Sequence, residues 1–292
     1  MPELPEVEVT RRRIGKLLVG REIARVITTK PSYFFLTHPK KLEQALAGRT
    51  VVKLERHGKY LLARLDGAGA TLLLHLGMTG QLFGEGAKSA RLMRAAARGS
   101  KASERPQSFS ADEHTHVQLE FTDGGPRVYF RDVRKFGKVL LVGAGQSDAR
   151  LDKLGVDALV ATGHDLYEAA RVRKIPIKSL LLDQGVIAGI GNIYADEALF
   201  LASVSPRRVA RRVDAAACAA IVAAAQRVMR RSIETGGSSI SDYVNPDGSD
   251  GGYQNERRVY GRTDEPCPRC ATPIRRVVIA TRSSHFCPAC QK

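Results

Sequence analysis

The chain begins MPELPEVEVTRRR, with two prolines and three glutamates in its first eight residues. Removal of Met1 would leave Pro2 as a secondary amine. An α-amino group titrates at about 8, so part of it is neutral and nucleophilic near pH 7. Attack of that nitrogen on a sugar C1′ gives an iminium ion, an electron sink that makes elimination of the 3′-phosphate feasible. Glu3 is close enough in sequence to protonate the ring oxygen and later remove a proton, and Glu6 is placed to orient the amine. A retained Met1 would acylate the nitrogen and remove its nucleophilicity. The same residues also suit a purely structural role, because Pro5 and Glu6 match the first turn of a helix, whose dipole favours acids. Residue types alone do not separate the two readings.

A second constellation lies at the other end. CPRC and CPAC place Cys267, Cys270, Cys287 and Cys290 as two tight pairs separated by sixteen residues. Two thiolates from each turn can reach one tetrahedral ion, so the spacing predicts a four-cysteine ribbon holding one structural Zn2+. Two disulfides would need an oxidising compartment, and the N-terminus lacks a cationic region followed by an apolar one, so secretion is not expected. Between the pairs runs the basic hairpin ATPIRRVVIATRSSHF, which sets Arg282 near its tip as a phosphate contact or as one solvated charge among many. GIGN, Gly189 to Asn192, separates two helical patterns and suits backbone contact with an anion at a helix start, although such turns also end helices for structural reasons. Cys218, in DAAACAAIVAAAQRVMRR, reads as a small buried helix residue.

The elements that must position these groups follow from periodicity. VEVTRRRIGKLLVG predicts one amphipathic helix stopping at Gly20. VVKLERHGKYLLARL, ATLLLHLGMTGQL, THVQLEFTDGGPRVYF and RKFGKVLLVG predict short strands joined by glycine turns. The fold expected is α+β and multidomain. Residues 1–145 form a helix on a β-sandwich; 151–250 form a helical domain that ends in the glycine-rich loop GGSSISDYVNPDGSDGGYQNE; 255–292 form the zinc ribbon. That loop is too long for a plain connector. A stretch at 84–113 is rich in Ala, Ser, Lys and Arg, and Arg91, Arg94 and Arg98 would line one side of a short helix. It suits either phosphate contact or a solvated insertion, and no site is assigned to it. With 46 Lys+Arg against 30 Asp+Glu, a net charge of +16 over 292 residues, a polyanionic partner is expected. No apolar run approaches the roughly 20 residues of a spanning helix, so nucleic acid is preferred to membrane and a cytoplasmic protein is expected.

PELPEVE, HGKYLL, HLGMTG, RKFG, IAGIGNIYADEALF, VYGR and the four-cysteine ribbon, in that order, resemble bacterial formamidopyrimidine-DNA glycosylases along nearly the whole chain apart from residues 84–113. The resemblance implies a bifunctional base-excision repair enzyme, likewise called 8-oxoguanine DNA glycosylase, that removes oxidised purines and nicks the abasic strand by β,δ-elimination. It also implies a helix-two-turn-helix DNA-binding region, duplex DNA with oxidised or abasic sites as partner, and a monomer. Carried over position by position, it makes Pro2 the Schiff-base nucleophile, Glu3 the general acid and base, and Lys59 an active-site lysine. Met78, Arg134 and Phe136 become the trio that fills the gap left by an extruded nucleotide. From periodicity alone Met78 and Phe136 would be core residues. Lys178 and Asn192 match DNA-backbone contacts, and Arg282 a phosphate grip with a part in δ-elimination. The loop 236–252 corresponds to a cap over the flipped base, with Tyr243 and Tyr253 suiting either that role or loop packing. Val133 stands where many relatives have proline. Two alternatives stay open: an endonuclease VIII-like enzyme for oxidised pyrimidines, and a non-catalytic zinc-ribbon DNA-binding protein. The retained Pro2, Glu3 and Lys59 speak against the latter.

Overall fold

In a computed structural model, described for residues 2–67, 69–89, 108–240 and 243–292, Pro5 opens a helix as its preset φ favours. This helix, α1, spans Leu4–Leu18 and buries Leu4, Val7, Ile14 and Leu18. Eight strands follow among the described residues of this half: β1 (Ile23–Thr28), β2 (Val51–His57), β3 (Tyr60–Leu65), β4 (Thr71–His75), β5 (Gly80–Gly84), β6 (Thr115–Phe121), β7 (Val128–Asp132) and β8 (Lys138–Val142), with α2 (Pro39–Leu46) between β1 and β2. They make two antiparallel four-stranded sheets, ordered β1-β6-β7-β5 and β2-β3-β4-β8. Inward residues such as Val26, Leu61, Leu74, Leu82, Leu119 and Phe130 form one apolar core to which α1 and α2 contribute. The expected helix and β-sandwich are therefore present. Residues 90–107, including Arg91, Arg94 and Arg98, lie outside the described residues.

The chain divides into two compact units: residues 1–148 with 235–252, and residues 149–234 with 253–292. The glycine-rich loop, which the sequence places at the end of the helical domain, thus groups with the β-sandwich. Its ends are tied by the Gly252 N–H donating to Thr235 O at 2.8 Å, and its middle is fastened to α1 and β5.

The second unit holds α3 (Ala149–Asp152), α4 (Gly163–Ala170), α5 (Ile177–Leu181), α6 (Asn192–Leu201) and α7 (Ala215–Glu234), with β9 (Val156–Asp157) paired to β10 (Ile187–Ala188). Asp214 caps α7 by accepting the Ala217 N–H at 2.7 Å. Cys218 is fully buried in that helix. The hairpin β11 (Arg275–Ile279) and β12 (Arg282–Phe286) turns through Ala280 and Thr281, both at positive φ, and completes the unit. Among the described residues no helix is long and apolar enough to cross a membrane.

Candidate active site and nucleic-acid interface

The first turn of α1 is buried. Pro2 is inside, and Glu3 and Glu6 are 3% and 1% exposed. Buried carboxylates need donors, and Glu6 finds them on two segments. Its Oε2 accepts the Glu3 N–H at 2.8 Å and its Oε1 the Ser238 N–H at 2.9 Å. Glu6 is therefore a fastener between the N-terminal turn and the glycine-rich loop. Gly237 permits the approach: at φ +85°, a Cβ there would lie 3.2 Å from the Tyr243 ring and 3.3 Å from Glu6 Cγ. Tyr243 is buried, with its hydroxyl 3.1 Å from Glu6 O and 3.0 Å from Asn245 Oδ1. Burial, followed by the Glu6 charge, raises its pKa, so the phenol stays protonated. Tyr243 thus anchors the loop.

Lys59 sits with Gly58 in the two-residue turn between β2 and β3, where Gly58 takes φ +54° and its carbonyl accepts from Arg56 Nη1 at 2.9 Å. Although lysine, it is only 8% exposed. Its charge is felt by His75, whose pKa is lowered to about 4 by burial first and then by Lys59 and Lys138. His75 Nδ1 accepts the Gly77 N–H at 3.2 Å, as a neutral ring can. The HLGMTG motif does not by itself mark this histidine, because a single histidine in an apolar strand has no signature of its own.

Gly77 also explains where Met78 and Phe136 are held. It takes φ +60°, and a Cβ would come within 2.5–2.7 Å of the Phe136 and Gly137 backbone, so only glycine lets the HLGMTG and RKFG turns meet. Asp132, wholly buried, ties those turns together: it accepts from Thr79 Oγ1, the Arg134 N–H and the Gly137 N–H. The result holds Met78 and Phe136 37% and 41% exposed, with the Arg134 guanidinium 4.5 Å from the Phe136 ring centroid. Periodicity would place both apolar residues in the core, and the structure puts them at the surface. Asp132 escapes sequence reasoning; its only signal is an acid preceding a glycine-containing turn.

In the second unit Asn192 opens α6, and its side-chain Oδ1 is buried without a hydrogen-bond partner among the described residues. Gln184 braces the preceding turn by accepting the Gly189 N–H and donating to Ile190 O, both at 2.9 Å. Lys178, expected as a DNA-backbone contact, lies among internal partners. Its side chain is fully buried, with Nζ 2.6 Å from Asp196 Oδ1 and donating to Ser283 O at 2.7 Å. Asp196 Oδ2 accepts the His285 N–H at 2.8 Å. An ammonium so enclosed clasps α5, α6 and β12 together. The adjacent Glu197 accepts backbone N–H groups of Arg258, Val259 and Tyr260 at 2.9–3.0 Å, shaping the VYGR turn. Neither carboxylate stands out in sequence, because both sit in an apolar helix pattern. Arg282 is exposed at the start of β12, and no ion pair forms on it among the described residues.

The four ribbon cysteines bring all their Sγ atoms within 4.8 Å of one another, with neighbouring pairs at 3.4, 3.5 and 3.9 Å. Zinc–sulfur bonds of about 2.3 Å in a tetrahedron require sulfurs about 3.8 Å apart, so the set fits one Zn2+. The Arg269 N–H lies 3.4 Å from Cys267 Sγ and the Cys290 N–H 3.4 Å from Cys287 Sγ, which suits thiolates.

Comparison with known proteins covers the same three regions. Residues 1–139 match the formamidopyrimidine-DNA glycosylase N-terminal domain, 154–244 its H2TH domain, and 264–292 the zinc finger found in FPG and IleRS. Formamidopyrimidine-DNA glycosylases of Thiobacillus denitrificans and Paracoccus denitrificans are 42% and 41% identical to the chain, each over the whole of both proteins. The crystal structure of the Fpg protein from Thermus thermophilus is similar with a TM-score of 0.81 at 35% identity, covering 99% of this chain and 98% of that one. The Lactococcus lactis Fpg bound to abasic-site DNA gives 0.82 at 31%, covering both chains completely.

Proposed function

This chain belongs to the formamidopyrimidine-DNA glycosylase family, and on that premise we propose how its own residues carry out the excision of oxidised purines and the lyase step that follows. The Pro2 nitrogen attacks C1′ of the damaged nucleotide and displaces the base, which takes up the proton lost from that nitrogen; Glu3 then protonates the sugar ring oxygen as the C1′–O4′ bond opens and the nitrogen lone pair forms an iminium ion. The resulting iminium ion acidifies C2′. Loss of a proton there expels the 3′-phosphate, and a second elimination releases the 5′-phosphate. Lys59 lies beside the reacting sugar and its phosphate. Met78, Arg134 and Phe136 fill the space vacated by the extruded nucleotide. Asn192 and Arg282 hold backbone phosphates, and the loop 236–252 caps the flipped base. Zinc supplies structure to the ribbon and no chemistry at the sugar. The enzyme is expected to act as a monomer in the bacterial cytoplasm.

The observation that supports this most is the buried Glu3 beside Pro2, its backbone held by Glu6. Pure binding has no need of a proline–carboxylate pair at that place. A structure of related MutM holds DNA with carbocyclic 8-oxo-G, which favours purine lesions. The Lactococcus protein has also been solved with oxidised-pyrimidine DNA, so pyrimidines are a second substrate class to test. Borohydride trapping on a duplex with one 8-oxoguanine opposite cytosine, run beside a thymine-glycol duplex and mapped by mass, decides. An adduct at Pro2, formed faster on 8-oxoguanine, is expected. Preference for thymine glycol would move the assignment to pyrimidines, and no adduct despite normal binding would leave a non-catalytic protein.

A further inference from the structure

The two ends of the 84–113 insertion are not loose attachments. Ser108 bridges to Lys88, and the Phe109 N–H donates to Ala87 O at 2.7 Å, closing the insertion on itself at its root. The Phe109 ring then lies tilted 5.1 Å from Phe83 and edge-on 5.4 Å from Tyr129. Asp112, three residues on, accepts from Arg131 Nε at 2.8 Å, where that guanidinium is 2% exposed on β7.

This root meets the glycine-rich loop. Val244 is 1% exposed in the same apolar cluster as Phe83, Ala87 and Tyr129, with Phe109 packed against it. The Gly84 N–H donates to Pro246 O at 3.1 Å and the Lys88 N–H to Asp247 O at 3.2 Å. At Gly248 the contact is so close that a Cβ would lie 2.2–2.7 Å from the Lys88 backbone, at a φ of +87°. The other side of the same loop segment is held by α1. Arg13 pairs with Asp247 and donates to Ser249 Oγ, while Tyr243 reaches Glu6. The segment 243–249 is therefore clamped between the insertion root and the helix that starts at the catalytic turn.

We propose that the root of the insertion, through Phe109, Lys88 and the Gly248 contact, is a positioning element of the base cap and so a determinant of base excision. The inference rests on the reading of loop 236–252 as that cap. Its physical basis is that the cap's entry into the site at Gly237 and Ser238 is set by how its other limb is seated, and glycine-rich backbone has no stiffness of its own to do this.

An abasic site has no base to cover, so the two activities of the enzyme separate this role from a general loss of fold. Gly248→Val and, as a milder change, Phe109→Ser are to be compared with the parent in single-turnover assays on 8-oxoguanine and on pre-formed abasic duplexes. Base excision is expected to fall by on the order of ten- to a hundred-fold, the scale of a misplacement near 1 Å, with abasic-strand cleavage within about two-fold of the parent. Unchanged excision in both variants, or equal loss of both activities in Phe109→Ser, overturns the proposal. A parent protein that neither excises nor cleaves would overturn the underlying functional reading instead.

Discussion

Glu8 and His75 show how much of the catalytic unit's electrostatics is set by single side chains. Arg11, Arg12 and Arg56 converge on Glu8, and although burial opposes ionisation, their hydrogen bonds and charges hold its pKa at about 2. That contribution to stability is complete above the unfolded value near 4.3 and is lost as pH falls toward 2. His75, at about 4 in the fold against about 6.5 unfolded, binds fewer protons folded than unfolded between those values. Stability is therefore lost as pH falls from about 6.5 toward 4. His75→Asn, which retains an acceptor for the Gly77 N–H, is expected to flatten thermal stability across that window, and an unaltered pH profile would show that His75 does not titrate there. Lys59→Met should raise the His75 pKa, as followed by NMR. Glu3→Gln is expected to bind DNA normally while losing roughly a hundred-fold or more in excision, the scale of a lost general acid. Unchanged excision would remove Glu3 from the chemistry.

At the scale of elements, the second unit is organised by two consecutive acids on α6. Asp196 joins α5 through Lys178 and β12 through His285, while Glu197 gathers the VYGR turn. Lys178→Met leaves the Asp196 charge buried without its ammonium partner, with His285 still bonded to Oδ2, at a cost of about 3–5 kcal/mol. Adding Asp196→Asn removes the orphan charge, so the double variant should regain stability relative to Lys178→Met alone, as read by denaturant unfolding. A direct phosphate contact predicts otherwise: Lys178→Met would keep its stability, shallow the salt dependence of DNA binding by about one contact's worth, and gain nothing from the second change.

For the whole molecule, the charge of +16 suits a polyanionic partner, and the basic ribbon is proposed as one means of meeting it. Chelation of zinc is expected to unfold the ribbon and weaken DNA affinity together, because four thiolates brought within 4.8 Å repel without a cation between them. Zinc content by atomic absorption and affinity by anisotropy follow both losses; full affinity without zinc would make the ribbon dispensable for binding.

Much of this was legible in the chain itself. The cysteine spacing, the strand-forming runs and the ordered family motifs are local features, and local chemistry is what one-dimensional spacing records. The tertiary structure alone decided the rest. Loop 235–252 groups with the β-sandwich because Glu6, Arg13 and the insertion root offer partners that lie far away in sequence. Met78 and Phe136 are surface residues because Gly77 and Asp132 lock two turns back to back. Lys178 is a buried clasp because Asp196 and Ser283 converge on it from two other elements. In each case the role of a residue depends on partners brought together by folding, and long-range pairing leaves no periodic mark in sequence.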